Sequence, residues 1–375
     1  MISSLYKNQP AFWIGLILFV GILSYQQVTL PNIPTAGIPV EGTLSISSIK
    51  LTPSRFGEQF SIKGEILGKQ VTLQLPRSEK VLLENNRQIH VNGQLKQSEG
   101  GHLYLKRGKF SKISGQGGFS WPYYRFKVKE RLKNAIAKNY GDKPSGSLLS
   151  SLLLGTAPKN HLSRDFNRFG LSHLLAISGF HFGLLSMLIC AILGRFCPYR
   201  WIPYLSISLL TLYTLILEPN PSALRAFVTF LHGQLGLLLG RSSTSLNRLG
   251  IALIATLLIN PTFATHLGFQ FSFAITASIL IFFRPIDDFL ESLSSQFKAK
   301  EIIQLSLLDK HALLLLRFFR QLIALTISVQ ITALPLTLFW FGQFPLLSLL
   351  YNLFFPPLVS LAILIFFAVW NLQGF

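Results

Sequence analysis

Apolar runs long enough to cross a lipid bilayer recur through this sequence, and they constrain its fold more than any other feature. A membrane-spanning helix needs about 20 consecutive apolar residues. Only 13% of the 375 residues are charged, whereas soluble domains carry roughly a quarter. The sequence therefore predicts an α-helical polytopic membrane protein with about eight transmembrane helices. These spans are expected at residues 11–30, 171–193, 201–217, 222–239, 249–263, 267–283, 313–340 and 345–370.

Two of these runs leave alternatives open. Lys7 precedes the first run, as in a cleaved signal peptide, but no small-residue cleavage site follows it. We therefore interpret the first run as a retained anchor. The run at 313–340 is long and contains Pro335, a pattern compatible with a kink, a strong tilt or two half-helices.

The positive charge of the chain is concentrated in one region. The formal net charge is +19, and residues 41–140 hold 18 Lys and Arg against seven Asp and Glu. Lys and Arg also recur in every second connection between the later spans, for example at Arg195, Arg241 and Arg284. By the positive-inside rule these connections face the cytoplasm. The alternation predicts a multi-pass protein of the cell inner (cytoplasmic) membrane whose basic region lies on the extracytoplasmic side.

Residues 40–114 change character, because short alternating segments replace the long apolar runs. Val71–Leu75 and Ile89–Leu95 show the period of two that is typical of half-buried strands. About five such strands suit a small all-β, OB-like barrel domain inserted after the first helix, with an SH3-like barrel or a sandwich as alternatives. The predicted domains are an anchor at 1–34, the β-domain at 35–118, an interfacial segment at 119–165 and a helical transmembrane bundle at 166–375.

The interfacial segment begins with a basic stretch at residues 121–141. Its apolar residues Val128, Leu132 and Ile136 are spaced four apart and are surrounded by Lys and Arg. This pattern predicts an amphipathic helix at a membrane surface. The short apolar run at 148–154 is expected to pack beside the bundle or to dip into it.

A dense polar cluster interrupts the first apolar run after Gly170. Polar groups inside a membrane span need a partner or a function. The cluster either lines a polar pathway or holds helices together, since glycines spaced four apart permit close helix contact. The residues of this predicted channel cluster, including three from later spans, are His173, Ser178, Gly179, His181, Arg225, Gln270 and Asn352.

Two alternatives concern the chemistry of these residues. Ser178 and His181 lie at i and i+3, which leaves an intramembrane serine hydrolase open, although no second catalytic motif accompanies them. Arg225 either pairs with Glu218 or with lipid headgroups, or it binds a backbone phosphate. The histidines lack the spacing of zinc ligands. We predict no catalytic residue, no metal and no cofactor, and we expect the chain not to be an enzyme.

These motifs together resemble the ComEC competence protein family. The resemblance rests on Leu154-Gly155, GLSHLLAISGFH at 170–181, PSALRA at 221–226, Gly268-Phe-Gln270 and FGQFP at 341–345. It implies an inner-membrane channel that takes up single-stranded DNA in natural transformation. Longer members carry a metallo-β-lactamase-like domain after the bundle, and no zinc motif of that kind occurs here, so we expect a short form that lacks this domain.

The resemblance also implies partners for the chain. We expect single-stranded DNA, membrane lipid, a DNA receptor, a separate nuclease, and a cytoplasmic motor or ssDNA-binding proteins. A transporter or scaffold for another polyanion is the alternative. A basic domain attracts polyphosphate in a salt-dependent way, and aromatic side chains can stack bases or anchor at the membrane interface. The candidate DNA-binding residues are Lys106, Arg107, Lys109, Lys112, Trp121, Tyr123, Tyr124, Arg125 and Lys127.

Overall fold

The computed structural model of the chain divides into two compact units. The helical unit comprises Met1–Tyr25, Asp142–Thr214 and Asn220–Phe375, and the β unit comprises Gln26–Gly141 and Leu215–Pro219. The structure describes residues 9–29, 38–54, 57–66, 69–84, 86–97, 103–112, 119–140, 144–156, 164, 166, 179–218, 220–241, 243–293, 306–342, 351, 355, 358–359, 361–362 and 365.

Five strands form the sheet of the β unit. They are β1 (Ile38–Ser54), β2 (Gly57–Ile66), β3 (Lys69–Pro76), β4 (Gln88–Gln97) and β5 (Leu103–Lys112). The sheet closes on itself in the order β1-β2-β3-β5-β4, and the β3–β5 pair is parallel while the other pairs are antiparallel. Helix α2 (Lys80–Glu84) lies between β3 and β4, and helix α3 (Trp121–Tyr140) follows β5.

The core of the β unit follows from the alternation in its strands. Every second residue of β2 and β3 points inward, so that Phe60, Ile62, Leu73 and Leu75 are all at most 2% exposed. Gly64 takes an inward position where β1 comes too close for a side chain, because an added Cβ would lie 2.6 Å from the Ser45 carbonyl oxygen. Each buried side chain of this size contributes about 1.5–3 kcal/mol to stability.

Helix α3 packs through a different face from the one that the sequence predicts. Ile136 is buried, but Leu132 is 41% exposed. The packed residues of the first half are Tyr123 and Phe126, and the Phe126 ring meets Phe60 edge-on with centroids 5.7 Å apart. The contacts of α3 are with the sheet of its own unit, which periodicity alone does not reveal, and the placement of the helix at a membrane surface stays a prediction.

The remaining described helices overlap the predicted spans, apart from α4. They are α1 (Pro10–Thr29), α4 (Pro144–Leu154), α5 (Gly179–Phe196), α6 (Ile202–Ile216), α7 (Pro221–Leu238), α8 (Ser245–Ile259), α9 (Leu267–Ser292) and α10 (Leu307–Phe341). Within the described residues, two helices are long and apolar enough to cross a membrane, at Leu267–Ser292 and Leu308–Phe341. The structure thus confirms a mostly helical chain with a small β region, and the number of eight spans stays a prediction.

The last two predicted spans differ in how far the structure describes them. Helix α10 continues through Pro335 for 35 residues as one element, so it is not two half-helices. The predicted span at 345–370 falls mostly outside the described residues.

Helix α7 is the centre of the helical unit, because it packs against α5, α8 and α9. It begins at Pro221 after Asn220, whose side chain accepts a hydrogen bond from the Ser222 amide at 3.0 Å. This is the usual N-cap arrangement, with proline at the first helical position. Helix α1 also packs closely, since a Cβ on Gly250 of α8 would overlap the backbone of Phe12.

Candidate functional site

A cluster of hydrogen-bonded polar groups joins the beginnings of α5, α7 and α9. The Arg225 Nε donates a hydrogen bond to the Ser272 hydroxyl at 2.9 Å. The hydroxyl of Ser272 lies 3.0 Å from that of Ser222, which accepts from the Gly179 amide at 3.2 Å. Each of the three helices therefore contributes at least one hydrogen-bonding group to this cluster.

The Arg225 guanidinium group lies directly over Gly179. A Cβ added at Gly179 would overlap the Arg225 Nη2 atom, whereas a Cβ added at Gly183, one turn later, would have no atom within 4 Å. Glycine at position 179 is thus what lets the guanidinium group approach α5. In the part of the chain that the structure describes, Arg225 makes no ion pair with a carboxylate, so its charge is held by neutral groups.

A cavity of about 730 Å³ extends from this cluster along α5 and α7. Small residues make room for it on both helices, among them Gly183 on α5 and Gly233 on α7. Arg225 lines the cavity near the beginning of α7, Arg248 lies beside Gly233 in the second half of the helix, and Arg241 follows its end. Because a helix rises about 1.5 Å per residue, the 13 residues from Arg225 to the end of α7 span about 20 Å.

The other two arginines of the cavity differ in their contacts. Arg248 donates to the Ser243 carbonyl oxygen from Nη2 at 2.9 Å and from Nε at 3.2 Å. Arg241 is exposed. Both positions follow a predicted span, and their place in the cavity wall was not anticipated from the sequence, because nothing in a loop position indicates which helix groove it faces.

The other predicted channel residues lie in different surroundings. His181 is buried on α5 at 5% exposure. The Gln270 amide nitrogen donates to the Ala264 carbonyl oxygen at 3.0 Å, and its oxygen accepts from Trp340 Nε1 at 3.1 Å, so Gln270 ties α9 to α10. His173, Ser178 and Asn352 fall outside the described residues.

Comparison with known proteins assigns the family. A family model described as "Competence protein" matches residues 156–373. The chain belongs to the competence protein family. The resemblance drawn from the motifs is therefore confirmed.

One curated relative supports the same assignment. The ComE operon protein 3 of Bacillus subtilis (strain 168) is 26% identical to this competence-family chain over 249 residues, which cover 64% of the chain and 28% of the relative. The chain thus matches little more than a quarter of the relative's length. No solved structure matches the chain.

The β unit of this competence-family protein holds the candidate DNA-binding residues in three kinds of position. Tyr123 is 6% exposed in the core, and burial together with the Glu84 carboxylate raises its pKa. Arg125 is 8% exposed and donates to the Leu217 carbonyl oxygen at 3.1 Å. Lys127 is exposed. For Lys106, Arg107, Lys109 and Lys112 the backbone lies on β5, and their side chains are outside the described part of the structure.

A group of three aromatic side chains lies at the beginning of α3, on its exposed side. The rings of Trp121 and Tyr124 stack with centroids 5.8 Å apart and planes at 29°. Phe119, which is 70% exposed, packs against both at 6.2 and 5.7 Å. We call these three residues the aromatic platform. Phe119 was missed at the sequence level because it precedes the helix and belongs to no repeat.

Glu218 is an acidic residue that the sequence linked to the wrong partner. It was considered as a partner of Arg225, but its carboxylate pairs with Lys50 at 2.7 Å and with Lys129 at 3.4 Å. The segment Leu215–Pro219 belongs to the β unit, which explains why a residue close to Arg225 in sequence binds cations elsewhere. Among the described residues, no group of His, Cys, Asp or Glu is arranged to hold a metal ion.

Proposed function

We propose that this chain forms a channel that takes up single-stranded DNA across the inner membrane during natural transformation, and that it is not an enzyme. The observation that carries the proposal is Arg225, a cation whose Nε donates to the neutral Ser272 hydroxyl, in a cavity that is also lined by Arg241 and Arg248. An uncompensated cation in a membrane span is rare and marks an ion or substrate pathway.

The chemistry of the cavity suits a polyanion. An arginine at the centre of a span costs at least about 2.5–3.5 kcal/mol on insertion scales, and somewhat less toward an end, so its retention needs a compensating role. A chain of phosphodiester groups passing along α7 would meet Arg225 near the beginning of the helix, Arg248 beside Gly233, and Arg241 beyond the end of the helix. Guanidinium groups bind phosphate oxygens through paired hydrogen bonds.

The charge pattern of the sequence gives this path a direction. Under the positive-inside rule, the start of α7 lies on the extracytoplasmic side, and the loop with Arg241 lies in the cytoplasm. The cavity then leads from the outer to the inner face. The beginnings of α5, α7 and α9 add the positive ends of three helix dipoles beside Arg225, which strengthens the attraction for an incoming anion.

We further propose that the β unit is an OB-like domain on the extracytoplasmic side that collects the DNA. Its support is the closed strand order with a helix between β3 and β4, the architecture that binds oligonucleotides in OB-folds. The excess of Lys and Arg in residues 41–140 supplies the electrostatic attraction.

Deletion of the gene tests the proposal. We expect acquisition of marked DNA to fall to background, and expression of the wild-type chain to restore it. The Arg225→Gln variant should fail to restore uptake although it reaches the membrane at the wild-type level. Unchanged transformation in the deletion strain would contradict the proposal.

A further inference from the structure

Four basic residues of the β unit surround a single carboxylate. Lys50 lies on β1, Lys63 on β2, and Arg125 and Lys129 on α3. The carboxylate is Glu218, and it belongs to the short segment Leu215–Pro219 of the same unit. We call the four basic residues the cation cluster.

The contacts of the cation cluster leave most of its charge uncompensated. Lys50 Nζ lies 2.7 Å from one oxygen of Glu218, and Lys129 Nζ lies 3.4 Å from the other. Arg125 instead donates to the carbonyl oxygens of Leu217 at 3.1 Å and Ser47 at 3.4 Å. Within the described residues its guanidinium has no carboxylate partner, and its buried Nε has no acceptor.

The pKa shifts of the buried lysines also report the positive charge of the cluster. Burial lowers the pKa of Lys129, and Lys50 and Arg125 lower it further, while Glu218 raises it. Burial also lowers the pKa of Lys63, with Lys50 adding to the shift and Glu218 opposing it. Lys50 therefore repels both Lys63 and Lys129, Arg125 also repels Lys129, and Glu218 is the carboxylate that opposes this repulsion.

We propose that the cation cluster is a binding site for a phosphodiester group of single-stranded DNA, and that Glu218 occupies this site as an internal stand-in until DNA displaces it. The inference rests on the proposed function, because it assigns a specific phosphate contact to the DNA-collecting unit. A carboxylate and a phosphodiester present the same pair of anionic oxygens to lysine and arginine donors.

The exposure of the individual groups gives the ligand a way in. The Lys50 side chain is 39% exposed and that of Glu218 is 18% exposed, whereas Lys129 is 9% exposed. A phosphate therefore meets Lys50 first and gains the buried Lys129 only when Glu218 withdraws. Arg125, which is 8% exposed and donates to two carbonyl oxygens, contributes its charge to the site. Removing the Glu218 charge should open the site.

The matched control residues lie on α3, the helix that carries Arg125 and Lys129 of the cluster. Glu130 and Lys133 of α3 form a separate ion pair at 3.9 Å, three residues apart, on a more exposed part of the helix. Glu218→Gln and Glu130→Gln change the net charge by the same amount, as do Lys50→Gln and Lys133→Gln. Differences within each pair therefore report the cluster and not the overall charge.

The test measures binding of a fluorescent single-stranded oligonucleotide to the full chain in phosphatidylcholine nanodiscs. We expect Glu218→Gln to bind at least threefold more tightly than Glu130→Gln, with a steeper dependence on salt because one more phosphate contact forms. Lys50→Gln should bind at least threefold more weakly than Lys133→Gln. If Glu218→Gln does not fold, the comparison of Lys50→Gln with Lys133→Gln still tests the inference.

Three results would overturn the inference. The first is equal affinity within each pair while the wild-type chain still binds the oligonucleotide, an outcome that leaves the proposed function intact. The second is a Glu218→Gln chain that gains affinity for short-chain phosphatidylglycerol but not for the oligonucleotide, which assigns the site to lipid headgroups. In the third, the wild-type chain and Glu218→Gln both fail to bind DNA, which contradicts the proposed function as well.

Discussion

The two units of the molecule hold their inner cations in different ways. In the helical unit, Arg225 donates to the Ser272 hydroxyl, and no described carboxylate pairs with it. In the β unit, Lys50 and Lys129 share the carboxylate of Glu218. The difference teaches that the Arg225 guanidinium can accept an anion directly. The cation cluster already holds the Glu218 carboxylate, which must be displaced before another anion binds.

Replacing Arg225 removes the cation of the helical unit and should have the largest effect. We expect Arg225→Gln to lower transformation at least 100-fold, because the cavity loses its charge at the cluster, and Arg225→Lys to restore it only in part because lysine lacks the guanidinium fork. Transformation frequency is the measurement, with membrane levels checked by immunoblot. Arg200→Gln removes an exposed charge that lies outside the predicted spans and should have no effect; an equal loss in this control would contradict the role of Arg225.

The position of the guanidinium group can be tested separately from its charge. In Gly179→Ala the new methyl group overlaps Arg225 Nη2, the far end of a flexible side chain, so the guanidinium moves while the backbone can stay. We expect transformation to fall about tenfold. Gly194→Ala adds the same methyl group on the same helix, outside the cavity lining and 3.8 Å from its nearest neighbour Ile202, and should act like the wild type. Equal effects of the two substitutions would show that the contact is irrelevant.

The β unit offers a test that contrasts two neighbouring tyrosines. Tyr124 belongs to the exposed aromatic platform, so Tyr124→Ala should weaken oligonucleotide binding about fivefold through lost stacking, which is worth about 1–3 kcal/mol per base. Tyr123 lies in the core, where its hydroxyl is hydrogen-bonded to Glu84. Tyr123→Phe should therefore leave DNA binding unchanged and, through loss of this hydrogen bond, lower the free energy of unfolding by about 1 kcal/mol. Loss of vesicle binding instead of DNA binding in Tyr124→Ala would identify the platform as a membrane anchor.

The smallest expected effect is a pH dependence of DNA binding. The pKa values of Lys63 and Lys129 are lowered mainly by burial, so these groups lose their charge at a lower pH than ordinary lysines. Binding should be complete below the lowered pKa values and should decline as the pH rises through them. Because Glu218 raises both pKa values, Glu218→Gln should move this decline to lower pH. Anisotropy titrations at several pH values check this, and an identical pH profile for both chains would contradict it.

Much of the architecture was predictable because long apolar runs and alternating segments are local signals. Gly179, Ser222 and Arg225 fall in motifs named in the sequence analysis, and Ser272 follows two residues after the motif Gly268-Phe-Gln270. Their mutual contacts were not predictable, since Arg225 and Ser272 are 47 residues apart and meet only because α7 packs against α9. Partners on different helices leave no trace in the spacing of either one.

Two contacts that the sequence did not indicate have a common physical origin. Helix α3 turns Tyr123 toward its own sheet and Arg125 toward the segment with Glu218, and their role in DNA binding stays a prediction. Glu218 was considered for Arg225 because the two are close in sequence. In both cases a tertiary contact with a distant segment outweighed the local pattern.

The central claim is that single-stranded DNA occupies the cavity between α5 and α7. It can be tested by placing a cysteine at Thr229, a cavity-lining residue, in a chain whose Cys190 and Cys197 are replaced by serine. The rate of its modification by a water-soluble thiol reagent is measured in nanodiscs with and without saturating oligonucleotide. We predict that DNA slows modification of Thr229→Cys at least fivefold and leaves Tyr199→Cys, a 78% exposed position between α5 and α6, unaffected. An unchanged rate at Thr229→Cys while the oligonucleotide is bound would contradict the account.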